Sequence, residues 1–492
     1  MEAIMPGFAV PEEIRRLKPS SDSVVKAIGG KYYVYTYKAR KLADGKWGTS
    51  TGKCIGKIIP GVGFAPNANY GTCHDDELTI LEYGQYALLM SLAGETFADL
   101  KAAFPLRKAA QILAYSMILY ANGFSHMDQV GMLYAQSWLP LAYRDYSFGM
   151  GQAAISSLLD GLGRKRNGVE AFERAQIAKG SGTVGIDGHV IRSCSGRNGL
   201  AEPGYKAGEL KADQVNVLVA LDLASERPLC TRVFRGSSVD KASVKDFLGD
   251  YRFRDTLFVV DRGFFSRDNL SLFSRDGNTY ITPEPSNTAA CRKATANLCF
   301  DDEFCCARGK TVTAMVQYRQ VDLEDGVRLF VYRDLLENGK ARYNYTRCLE
   351  EGKSGYTEEG LAANKELWGV SVLRTDTGLS AQEVYDRYKD RWKIETYYDY
   401  VKNYRRFTNL RIEGYYQEQG FAFIMLVVGL LHQSLKAAIK KTGRTTCSTL
   451  DAIIAARYMK LSKHGKTWRI DNKRKKDLAY FKKLGFEPEL TL

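Results

Sequence analysis

Apolar and polar positions along this chain follow two rhythms, and the changes between them divide it. Residues 31–38 (KYYVYTYK) alternate with period two and are rich in aromatics. Residues 53–59 form a second strand-like run, with Asp44-Gly45 as the turn between the two. Residues 1–75 therefore read as a small β-rich domain, whose tyrosines form a platform for stacking bases or pack as ordinary strand aromatics. From Asp75 to Ala178 the period becomes helical, with segments near 76–92, 97–121, 125–136, 150–161 and 168–178. Gly94, Pro105, Gly123 and Pro140 punctuate them. Within this helical region, 76–179, residues 127–135 and 152–159 fit a helix-turn-helix pair or an ordinary bundle equally well.

At Gly180 the rhythm shortens again. Residues 183–187 (TVGID), 215–221, 229–234, 256–261 (TLFVVD) and 279–282 read as strands, with helices at 240–248 and 266–273. The order β-β-β-α-β-α-β combines hairpins with crossovers and predicts a mixed sheet covered by helices, an α/β fold. Residues 283–366 interrupt it with β-type runs at 311–318 and 327–332 and turns at Asp325-Gly326 and Asn338-Gly339, which suggests a β-rich insertion. A strand at 367–374 then leads into 379–402 (LSAQEVYDRYKDRWKIETYYDYVK), read as one uninterrupted helix. Ser380 is its cap and Glu383 the capping-box partner. A long apolar helix covers 417–440, but its apolar run, 421–431, is too short to span a bilayer, so no membrane is expected.

On a wheel of roughly 100° per residue, Arg391, Glu395 and Lys402 fall within about 60° of Tyr388. One acid, two bases and a phenol thus share a narrow stripe. Such a stripe suits a metal ligand beside a polyanion, or is a solvated face with ordinary ion pairs. Composition adds to the first reading. The chain has 492 residues, 70 Lys+Arg against 56 Asp+Glu, and a net charge of +14, which favours a polyanionic partner. Residues 441–492 are a basic C-terminal region, either a DNA-contacting face or a solubilising tail. The ten Cys are scattered. The cluster Cys291, Cys299, Cys305 and Cys306 contains no His and an adjacent pair, a poor zinc site, so free thiols in a reducing cytoplasm are expected. The N-terminus lacks signal-peptide architecture, which agrees with a cytoplasmic location.

Three acids remain. Asp187 and Asp261 end strands of the mixed sheet, and Glu395 lies on the helix after the insertion. Acids at the ends of adjacent strands face one crevice, and a following helix can bring a third across it. Hard oxygen donors of this kind suit Mg²⁺ or Mn²⁺, and two such ions can drive phosphodiester displacement. His189, two residues past Asp187, contacts phosphate or simply packs.

The spacing Tyr388-x2-Arg391-x3-Glu395-x6-Lys402 resembles the YREK signature of DDE transposases in the insertion-sequence-four superfamily. The blocks Gly185-Ile186-Asp187-Gly188 and Val259-Val260-Asp261-Arg262-Gly263 are similar to those carrying the family's first two acids, and Phe234-Arg235-Gly236 with Asp240 resembles the loop before its first helix. The tyrosine-rich N-terminus with Gly56-Lys57 resembles the branch with long transposases. The likeness covers roughly residues 180–440. It implies a ribonuclease-H-like catalytic domain at 180–282 and 367–440, with the β-rich insertion at 283–366. It also implies metal binding by Asp187, Asp261 and Glu395, DNA contacts by Tyr388, Arg391 and Lys402, and a homodimeric synaptic complex on the terminal inverted repeats and target DNA, at the nucleoid. Some superfamily members hold a flipped base on a Trp of the insertion during a hairpin step. Here Trp occurs only at 47, 138, 368, 392 and 468, so a hairpin step would need Tyr or Phe instead. The expected activity is cut-and-paste transposition. The alternatives are a ribonuclease-H-like nuclease without strand transfer and a domesticated, non-catalytic DNA-binding protein.

Overall fold

The computed structural model describes residues 10–41, 47–67, 70, 79–123, 126–193, 201–203, 213–236, 240–308, 312–399, 409–410, 412, 414–443, 447–464 and 467–489. The turn expected at Asp44-Gly45 lies outside them. The chain forms two compact units, Met1–Leu81 with Lys460–Asn472, and Glu82–Met459 with Lys473–Leu490.

In the first unit a short helix α1 (Glu12–Arg15) precedes four antiparallel strands, β1 (Ser23–Ile28), β2 (Lys31–Lys41), β3 (Trp47–Ile59) and β4 (Gly63–Pro66). The β1–β2 turn is Gly29-Gly30, with φ of 55° and 73°, the left-handed conformation a two-residue hairpin requires. Ile14, Val34, Ile55 and Ile58 form its small core. A second sheet in this unit pairs β5 (Thr79–Glu82) with the hairpin Lys460–His464 and Thr467–Asp471. Two strands of the supposed basic tail therefore belong to this sheet, and Tyr480, Phe481, Leu484 and Phe486 farther along are buried.

The second unit begins with helices α2 (Gly84–Leu92), α3 (Gly94–Ala103), α4 (Leu106–Asn122), α5 (Met127–Gln136), α6 (Leu139–Ala142), α7 (Gln152–Arg164) and α8 (Asn167–Ala178). The helix expected from 76 starts only at Gly84, because β5 takes up the residues before it. Next come β6 (Thr183–Ser193), β7 (Glu202–Pro203), β8 (Asp213–Asp222), β9 (Arg227–Arg235), α9 (Asp240–Asp250), β10 (Leu257–Val260), α10 (Arg267–Phe273) and β11 (Thr279–Pro283). Then follow α11 (Ala289–Thr295), β12 (Asp302–Arg308), β13 (Val312–Asp322), β14 (Arg328–Asp334), α12 (Leu335–Glu350), α13 (Glu358–Asn364) and β15 (Val370–Thr375). The described order closes with α14 (Ala381–Lys389), α15 (Trp392–Asp399), β16 (Asn409–Leu410), α16 (Tyr415–Lys441), α17 (Thr449–Arg457) and α18 (Lys475–Lys483).

One mixed sheet runs through this unit in the order β12-β13-β14-β15-β11-β10-β6-β8-β7, with β9 also on β8 and β16 on β6. β10 is parallel to both β6 and β11, while β8 and β9 add antiparallel neighbours beyond β6. Strands of the 283–366 segment are hydrogen-bonded into this same sheet: β14 pairs with β15, and β15 with β11. The segment is also partly helical. Asn338-Gly339, expected to turn, lies inside α12, because the Asp334 carboxylate accepts the Leu336 and Glu337 N–H groups and starts a helix there.

Phe247, Phe258, Val260 and Phe273 belong to the core between the sheet and α9 and α10. β9 packs against α16, whose buried stretch from Glu418 to Leu431 also meets α4 and α7. By length and composition α16 is apolar enough to cross a membrane, with a mean hydropathy of 1.7, yet 67% of that window is buried inside the fold. It is a core helix: Gly163 of α7 faces the Tyr416 carbonyl, and Gly420 faces that of Leu159.

Between α8 and the sheet sits a wholly buried carboxylate. Glu173 accepts the Thr231 N–H at 3.1 Å and the Tyr251 hydroxyl at 2.8 Å, with Arg166 3.5 Å away. Burial, opposed by Arg166, pushes its pKa up to about 7. The folded state thus holds this proton more tightly than the unfolded state does. The stability linked to it is fully present below the ordinary carboxylate range and is lost as pH rises towards 7, by up to about 3 kcal/mol. Thermal melts from pH 5 to pH 8 should show wild type losing stability relative to Glu173→Gln; parallel curves would remove Glu173 as the cause.

Candidate active site

Strand register places the first two acids. β6 and β10 run parallel and pair from Leu257↔Thr183 to Val260↔Ile186, so Asp187 and Asp261 are the next residues on neighbouring strands. The reading of Asp187 as a strand end needs correction. β6 continues to Ser193 because its other edge stays paired with β8, through Asp187↔Val219 to Arg192↔Gln214. The parallel neighbour is what ends. Asp261 leaves β10 and its carbonyl accepts the Phe264 N–H of a short 3₁₀ turn. That divergence exposes one edge of β6 beside Asp187, whose carboxylate accepts the Gly188 N–H at 2.8 Å.

The helix carrying the third acid starts as expected, with Ser380 and Glu383 in a reciprocal capping box. It does not run unbroken to 402. α14 ends at Lys389 and α15 begins at Trp392. Arg391, Lys393 and Ile394 donate their N–H groups three residues back instead of four, which tightens the chain into a 3₁₀ turn. Asp390, a weak helix former, sits at this junction, with its carboxylate 2.9 Å from Lys393. The tight turn still brings Arg391 onto Glu395, its Nη2 2.5 Å from Oε1.

Around that pair the predicted residues gather. The Arg391 guanidinium stands 5.8 Å from the Tyr388 ring centroid. Burial works against its charge, but Tyr388, Asp261 and Glu395 hold its pKa above the usual arginine range. Burial also raises the Tyr388 phenol, reinforced by Asp261 and Glu395 and opposed by Arg391. Asp261, Tyr388, Arg391 and Glu395 therefore share one electrostatic neighbourhood. Lys402 lies outside the described residues.

Sequence reasoning missed the residue that fastens α15 to Asp187. The Tyr398 hydroxyl donates to the Asp187 carbonyl at 2.9 Å and to that of Val217 at 3.3 Å. Its ring lies 5.0 Å from that of His189, so the two rings pack together. Lys393 adds a bond to the Leu223 carbonyl at 2.8 Å. The available signal was spacing: Tyr398 follows Glu395 by three residues and so shares its face.

Carboxylate oxygens are suitable donors for a hard divalent cation, and register brings Asp187 and Asp261 side by side. Among the described residues, however, no three His, Cys, Asp or Glu are close enough to hold a metal ion together. Glu395 is turned onto Arg391, so the guanidinium serves as its counter-charge here. The four cysteines of the 291–306 cluster are free thiols: Cys291 and Cys306 are buried, Cys299 and Cys305 exposed.

The transposase DDE domain family matches residues 179–431, just over half the chain. No curated protein sequence matches it. Among solved structures, a piggyBac transposase synaptic complex with hairpin DNA is similar over 84% of this chain and 83% of that one, at 9% identity and a TM-score of 0.41.

Proposed function

Because this chain belongs to the family of transposase DDE domains, enzymes that cleave and transesterify DNA, we propose that it excises an element by metal-dependent cleavage at its terminal inverted repeats and joins the ends to target DNA. The observation that carries this reading is the gathering of Asp261, Tyr388, Arg391 and Glu395 beside the strand that bears Asp187. The sheet order β9-β8-β6-β10-β11, three antiparallel strands followed by two parallel, supports a ribonuclease-H-like catalytic core. The YREK spacing supports the insertion-sequence-four superfamily. A homodimeric synaptic complex at the nucleoid is part of the same proposal.

Asp187, Asp261 and Glu395 would hold the cations, Mg²⁺ or Mn²⁺, as a pair of ions, since three carboxylates can divide between two sites. When bound, such ions make a water or a 3′-hydroxyl more nucleophilic and offset charge on the leaving oxygen. Tyr398 fixes α15, the helix that carries Glu395, against β6, the strand that carries Asp187. Arg391 is the movable part. Its planar fork now holds Glu395; on an arriving DNA phosphate it can make two parallel hydrogen bonds and free that carboxylate. Tyr388 borders the same space, and Lys402 supplies a further phosphate contact.

The test is strand transfer of pre-cut ends in Mg²⁺, with EDTA as the control. Joined product supports transposition, nicking alone favours the nuclease, and binding alone the domesticated protein. In the same assay Arg391→Lys should cut end capture and joining at least about tenfold, since a point charge cannot reproduce the fork. Wild-type joining by Arg391→Lys would leave Arg391 as a surface ion-pair partner only.

A further inference from the structure

At the end of β10 and β11 opposite Asp261 lies a pocket of about 510 Å³ that the catalytic reading does not use. Two loops build it, one entering each strand. Asn278, buried, clamps them together: its carbonyl oxygen accepts the Thr256 N–H at 2.9 Å, and its amide donates to the Phe253 carbonyl at 3.0 Å. The Asp255 N–H also donates to the Asp276 carbonyl at 3.3 Å. This clamp sets Arg254 of one loop beside Arg275 of the other, while Arg252 and Lys245 of α9 complete the lining. All four are exposed, and none makes an ion pair among the described residues. Asp276 is the only acid in the lining.

Four unpaired cations held in one concavity repel one another, and a clamped scaffold prevents them from dispersing; an anionic partner relieves this. We infer that this cationic pocket binds the sugar-phosphate backbone of duplex DNA. The inference rests on the DNA-processing reading and adds a second contact to it. Arg254 lies in the loop before β10, and the four residues of that strand, at about 3.3 Å each, put the pocket roughly 13 Å along the strand from Asp261. That distance corresponds to about four base pairs of B-DNA. The partner is a polyanion engaged away from the bond being cut, through charge rather than base identity.

The test is a salt series of anisotropy measurements on a labelled random-sequence duplex. The variant carries Lys245→Gln, Arg252→Gln, Arg254→Gln and Arg275→Gln together. Its slope of log affinity against log salt should be shallower than wild type by about 2 to 4. A matched variant, with Lys340, Arg342, Lys353 and Lys365 each changed to Gln, should retain the wild-type slope. If the fourfold variant melts early, Arg254→Gln and Arg275→Gln singly should each lower the slope by about 1. An unchanged slope overturns the inference, as does an equal fall in the matched variant, or a fall seen with single-stranded RNA and not with duplex DNA. Metal-dependent nicking, measured alongside, keeps the two readings apart. Wild type that nicks no DNA defeats the DNA-processing reading; nicking with an unchanged slope defeats the pocket alone.

Discussion

Asp187→Ala, Asp261→Ala and Glu395→Gln should each abolish Mg²⁺-dependent nicking, by at least about a thousandfold or roughly 4 kcal/mol of barrier, with DNA binding nearly intact. Each change removes a carboxylate charge without touching the core. Asp187 and Asp261 are half-exposed at the point where β6 and β10 diverge. The Glu395 side chain is 33% exposed and bound to Arg391. Glu395→Gln is the most informative of the three, because the amide oxygen can still accept from Arg391 while the charge that would hold a cation is gone. Melting curves of the variants, with and without Mg²⁺, separate loss of chemistry from loss of fold. A variant that cuts at the wild-type rate would remove its residue from the site.

Gly163→Ala and Gly420→Ala should each destabilise the larger unit by about 3 kcal/mol or more, although alanine is the better helix former by roughly 1 kcal/mol. The reason is the closeness of α7 and α16. A Cβ on Gly163 would stand 1.8 Å from the Tyr416 carbonyl oxygen, and one on Gly420 would stand 2.0 Å from that of Leu159. Both obstacles are backbone, so no rotamer change relieves them, and the helices must separate. Gly161 of the same helix is the control, since its nearest neighbour would be the Lys108 Nζ at 3.9 Å. Gly161→Ala should be neutral or slightly stabilising. Thermal melts of all three decide it, and equal melting temperatures would mean that the packing adapts.

Elements whose patterns are local were legible in the sequence. The alternating aromatics of β2, the apolar runs of β8 and β10, and the Ser380–Glu383 cap each announce themselves within a few residues. The neighbourhood of Asp261, Arg391 and Glu395 was legible because strand ends and helix spacing are periodic. What escaped depends on partners far along the chain. Asp187 looked like a strand end, and only pairing with β8 carries β6 onward. The joining of β14 to β15 turns a segment that reads as an insertion into part of the main sheet, and no local pattern encodes that pairing. The break at Asp390 has neither Pro nor Gly to mark it. Asp334 begins a helix across Asn338-Gly339, a dipeptide that otherwise favours a turn.

The late position of α16 matters for how the molecule is made. Its partners α4, α7 and β9 leave the ribosome well before it does. Between Asn122, the end of α4, and Tyr415, the start of α16, the chain must grow by about 290 residues, which takes roughly 15 to 60 s at ordinary rates of synthesis. During that interval the apolar faces that α16 will cover have no native partner. The nascent polypeptide therefore carries a sticky surface for most of its time in translation, and its yield in a cell depends on chaperone supply as well as on the stability of the finished protein.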